Sequence, residues 1–74
     1  MLSIHWKKQK DNFIEGSYGG WNFFILMKKI GENLLPYSLF IISPLGEKEK
    51  IMAEEYGADT IEKIKWIAEN LDIK

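Results

Sequence analysis

Seventy-four residues make one small domain, and folding at that size hides only about 60% of the surface that the unfolded chain exposes. With 46% hydrophobic and 14% aromatic residues, the composition excludes an intrinsically disordered chain. The ten basic residues are all lysine against eleven acids, a net charge of −1, which lacks the basic excess of a phosphate-held nucleic-acid binder and the acidic excess of a DNA mimic.

Ile4 to Gln9 alternates, with Ile4 and Trp6 set against His5 and Lys7, and is read as a half-buried strand. Lys10, Asp11 and Asn12 form a turn signal, because Asp and Asn bond their own backbone and tolerate left-handed conformations. Phe13 to Tyr18 returns as a second strand, and Gly19 with Gly20 punctuates the chain before a long third strand, Trp21 to Lys29. Gly31, Glu32 and Asn33 mark the next reversal. Leu35 to Ser43 is the fourth strand, with Pro36 near its start, where a missing donor matters least. Connections this short favour sequential antiparallel pairing. Pro44, Leu45 and Gly46 end the sheet.

The segment Glu47 to Tyr56 is densely charged, with Ile51, Met52 and Tyr56 as its apolar positions; it is read as a short helix, with a ragged edge strand as the alternative. Gly57 suits a helix C-terminus or a turn. Asp59, Thr60, Ile61 and Glu62 then have the form of a capping box, with an acceptor at the N-cap and a glutamate three residues later. Ile61, Ile64, Ile67, Ala68 and Leu71 recur at helical spacing and make one apolar stripe. The expected fold is α+β: an antiparallel β-meander of three to four strands packed by a C-terminal helix, in a single domain.

The third strand carries more apolar surface than one helix can cover. In an extended chain Trp21, Phe23, Ile25 and Met27 point one way while Phe24, Leu26 and Ile30 point the other. Large exposed apolar patches are uncommon on soluble monomers. The stretch Trp21, Phe23, Phe24 and Ile25 is therefore a candidate homodimer or second interface.

Trp66 is the leading candidate for a partner-binding residue. At about 100° per residue it falls nearly opposite the apolar stripe, among Glu62, Lys63, Glu69 and Asn70, its neighbours on the same helix surface. A tryptophan ringed by polar groups is a common binding hot spot, worth about 2 kcal/mol or more when truncated. The competing reading has Glu47 to Tyr56 fold over Trp66 and make it core.

The run Gly20 to Ile25 resembles the stacking strands of RNA-recognition and cold-shock domains. It lacks the basic residue before the first glycine, the order of elements differs, and the absence of arginine removes the fork used for guanine edges and phosphates. Core packing explains it better. The nucleic-acid alternative would use Trp6, Trp21 and Tyr18 as platforms with Lys7, Lys8 and Lys28 on the backbone. Edge lysines also block sheet-to-sheet aggregation, which needs no ligand.

No constellation for catalysis is evident. His5 is the sole histidine and there is no cysteine, so histidine pairs, disulfides and thiolate chemistry are excluded and a reducing compartment, the cytoplasm, is expected. The carboxylates lack the spacing of a calcium loop, and the serines lack a nucleophile elbow or phosphate loop. The chain is read as a non-enzyme without cofactor or metal. Its apolar runs fall far short of the ~20 residues of a membrane span, and Met1 to Lys10 has no signal-peptide pattern.

A tryptophan- and glycine-marked meander followed by the helix Thr60 to Glu69 (TIEKIKWIAE) resembles many small proteins encoded by bacteriophages and mobile elements. Their final helix follows an S/T-hydrophobic-E-x-A-K-x-x-A-E pattern, and Ile64 stands here where alanine is often found. The resemblance implies a stoichiometric inhibitor of a host or defence enzyme, of the anti-CRISPR or anti-restriction type, acting by steric occlusion. It carries over no site residues. A structural subunit of a viral assembly is the further alternative.

Overall fold

A computed structural model describes residues 1–73. The strands are β1 (His5–Trp6), β2 (Phe13–Tyr18), β3 (Trp21–Ile30), β4 (Asn33–Ile42) and β5 (Lys48–Met52), followed by a 3₁₀ turn at Ala53–Tyr56 and the helix α1 (Ile61–Glu69). They form one five-stranded sheet in sequential order, and every pairing is antiparallel. The protein is thus an α+β meander with one C-terminal helix. No helix of the described residues is long and apolar enough to cross a membrane.

Two expectations are corrected. The sheet has five strands rather than three to four, and no α-helix precedes α1. The segment expected as a short helix, Glu47 to Tyr56, instead divides into β5 and the 3₁₀ turn. Tertiary context selects the strand: Ile51 lies opposite Leu39 and packs against the core, while β5 supplies partners to the backbone groups along the β4 edge.

Local chemistry shapes the hairpins. Gly19 and Gly20 both have positive φ, 48° and 85°, as a two-residue turn matched to the twist of β2 and β3 requires. On β4 the register slips, with Leu26 opposite Ser38 but Met27 opposite Pro36. Tyr37 is the extra residue of that bulge, and the bulge accommodates Pro36, which has no N–H for the ladder.

Helix α1 covers one face of the sheet. Ile64 and Ala68 are its buried positions, and they join Phe23, Ile25 and Met27 of β3 and Leu39 and Ile41 of β4 in a single core. The helix starts one residue later than the Asp59 cap expected from sequence. Thr60 is the N-cap, and its Oγ1 accepts the Lys63 N–H at 3.2 Å. Lysine at the third helical position leaves no acid to reach back, so only half of the capping box forms. Asp59 instead pairs with the Lys63 ammonium at 2.7 Å.

Candidate functional site

Trp66 stands on the side of α1 away from the core and is 59% exposed. Beside it lies Tyr56, 60% exposed, at the end of the 3₁₀ turn. Gly57 terminates that turn with φ 63° and donates its N–H to the Ala53 and Glu54 carbonyls. This left-handed step, cheap only for glycine, sets Tyr56 beside the helix. Tyr56, Gly57, Lys63, Trp66 and Ile67 line a shallow depression of about 310 Å³. The Glu47 to Tyr56 segment therefore borders Trp66 and does not bury it.

The polar residues grouped with Trp66 have unequal roles. Glu62, Lys63 and Asn70 are exposed. Lys63 holds Asp59, and its hydrogen bond and positive charge lower the Asp59 carboxyl below the ordinary carboxylate value. Asn70 caps the helix C-terminus, its Nδ2 donating to the Trp66 carbonyl at 2.8 Å. Glu69 is half-buried and accepts the Trp6 Nε1–H at 3.2 Å. It belongs to the packing of β1 on α1 rather than to the depression. Tyr56 is not among the candidates read from the sequence: the segment ending at Tyr56 is expected there only as a cover over Trp66, whereas both rings stand exposed.

The four residues of the expected second interface do not share a surface. Phe23 and Ile25 are fully buried beneath α1, and Trp21 packs against the same core. Phe24 alone stands on the opposite, open face. Its companions there are Phe13, Leu26, Phe40, Ile42 and Met52, all half-buried; none belongs to the helix-side core or packs against it. Strand alternation separates the two sets.

The stacking platforms envisaged for nucleic acid are likewise divided from their lysines. Trp6 lies opposite Gly16 and Tyr18 opposite Trp21, on the helix side. The Trp6 ring is held in the packing there, 6.3 Å from the centroid of the buried Phe23 ring and with its Nε1–H donated to Glu69. Lys7 bridges to Glu15 at 3.1 Å, and Glu15 lies opposite Phe24 on the open face. Lys28, opposite Leu35, takes the same face by alternation.

A larger cleft of about 690 Å³ opens between the end of the sheet and the segment after α1, lined by Trp21, Leu45, Glu47, Glu49, Leu71 and Asp72 among others. No group of three metal-ligating side chains occurs among the described residues. No protein-family model, curated protein or solved structure matches the chain.

Proposed function

We propose that this protein is a non-enzymatic protein-binding module anchored by Trp66 and Tyr56. One observation carries the reading: two large aromatic side chains from separate elements stand more than half exposed on either side of one depression. Tryptophan and tyrosine are the residues most enriched in binding hot spots, and they act where a partner desolvates them fully. Lys63, which lines the depression, supplies a polar rim of the kind that surrounds such anchors. A partner seated there has that part of its own surface occluded, which is a mechanism of inhibition that needs no chemistry. The resemblance to phage and mobile-element proteins makes host or defence enzymes the partner class to screen first.

The test is capture from bacterial lysate by the immobilised protein, followed by affinity measurement with the captured partner. Trp66→Ala is expected to weaken binding by about 30-fold, the equivalent of ~2 kcal/mol, and Tyr56→Ala by a comparable amount. Both side chains are exposed, so circular dichroism should be unchanged. Capture that is indifferent to both substitutions removes the depression from the account.

A further inference from the structure

The net charge of −1 averages two unlike sides of the molecule. By strand alternation Lys48 stands opposite Ile42 and Lys50 opposite Phe40 on the open face of the sheet, together with Lys28 and Lys7. Glu15 stands on that face bridged to Lys7 at 3.1 Å, and Glu54 and Asp59 border Lys28 at its margin. Glu49, one residue out of phase, lies opposite Ile41 and turns to the helix side, where Glu47, Glu49 and Asp72 line the cleft. Lys48 and Lys50 thus stand on the sheet face without an acid among their strand neighbours there, while these acids gather at the cleft.

The sheet face is also aromatic. Phe24 and Phe40 are direct cross-strand partners on the third and fourth strands of the sheet. The Lys50 ammonium lies 5.4 Å from the Phe40 ring centroid, and that of Lys28 lies 5.5 Å from the Tyr37 centroid. Between these two lysine-capped rings sits Ser38, fully buried among apolar neighbours, whose Oγ has no hydrogen-bond partner among the described residues. Buried hydroxyls are ordinarily paired. With no accessible surface, the Ser38 hydroxyl lies beneath the neighbouring side chains and takes no part in the surface that the open face presents.

Charge decides the occupant. A second copy laid face to face would bring lysine against lysine, and like charges across an interface oppose association. Protein-binding surfaces are depleted in lysine. Rings on an open sheet bordered by cations are instead the arrangement that stacks bases and follows a phosphate backbone. Lys48 and Lys50, two residues apart on one strand, are about 6.8 Å apart along the sheet edge. We propose that the open sheet face binds single-stranded nucleic acid, with bases stacked on Phe24 and Phe40 and the backbone held by Lys28, Lys48 and Lys50.

Fluorescence anisotropy of a labelled oligothymidylate tests this over a salt series. Three lysine–phosphate contacts set a log–log salt slope of about −2, and Lys48→Ala with Lys50→Ala reduces it to about −0.7. Phe40→Leu keeps an apolar side chain but removes the ring, and is expected to weaken binding about 10-fold. Trp66→Ala leaves oligonucleotide affinity unchanged, which keeps this surface distinguishable from the Trp66 and Tyr56 depression. The proposal is overturned by absence of binding at low salt, by affinity indifferent to Phe40→Leu, or by polyglutamate competing as well as oligothymidylate, which would make the face a site for acidic protein. Light scattering that shows a stable dimer disrupted by Phe40→Glu would assign the face to a second copy and overturn it equally.

Discussion

Trp6 donates its indole Nε1–H to the Glu69 carboxylate over 3.2 Å, joining residues 63 positions apart. The Leu2 N–H adds a bond to the Glu69 carbonyl at 2.6 Å. The first strand has only two residues and little ladder of its own, so these contacts with the end of α1 hold the N-terminal segment in place. Glu69→Ala is expected to destabilise the fold by about 1 kcal/mol, and Glu69→Gln, which keeps an oxygen acceptor, by less. Urea denaturation followed by tryptophan fluorescence measures both.

Trp6 owes its position to the absence of a side chain beneath it. A Cβ at Gly16 would lie 2.6 Å from Trp6 Cε3 and 2.8 Å from Ile4 Cγ2, well inside contact distance. Gly16→Ala should therefore cost about 1–3 kcal/mol through overpacking. Combining it with Trp6→Leu should recover part of that loss, and a double-mutant cycle in urea reads the coupling. Strict additivity would show that the indole and the glycine do not constrain each other.

Adjacent phenylalanines on β3 should behave differently. Phe23 is fully buried, and Phe23→Ala is expected to cost about 3–5 kcal/mol against a total of about 4–11 kcal/mol for a domain of this length. Far-ultraviolet circular dichroism should find that variant at the margin of folding. Phe24→Ala, on the open face, should cost about 1–2 kcal/mol and leave a folded protein. Equal losses would contradict the one-sided cover by α1.

Asp59 makes stability depend on acid in a definite direction. Its carboxyl is lowered in the folded state, first by the Lys63 hydrogen bond and then by the Lys63 charge. The stabilisation is therefore present above the unfolded-state value and lost as the pH falls through the lower folded-state value. Lys63→Ala should return the Asp59 titration, followed by nuclear magnetic resonance, to the ordinary carboxylate range. The Thr60 cap should survive, because it uses the Lys63 backbone N–H.

Some elements are legible one by one. Phe13–Tyr18 carries its bounds in the turn residues on either side, and β3 begins at Trp21 directly after the glycine pair. The exposure of Trp66 follows from helical spacing alone, since Ile64 and Ala68 set the buried side. The β5 strand is different. Lys48, Glu49 and Lys50 carry no apolar pattern, and the segment is extended because the β4 edge and Leu39 accept it.

Local order was encoded by neighbours in the chain: two-residue alternation, glycines at hairpin turns and a helical stripe need only nearby residues to be read. The tertiary structure alone decided which face of the sheet α1 covers and that Glu69 serves Trp6. It also decided that Tyr56 and Trp66 border one depression and that Lys48 and Lys50 share the open face with Phe24 and Phe40. Each of these depends on pairing between residues distant in sequence. Such pairings are set by the long-range burial of one core, which periodicity within a single segment does not contain.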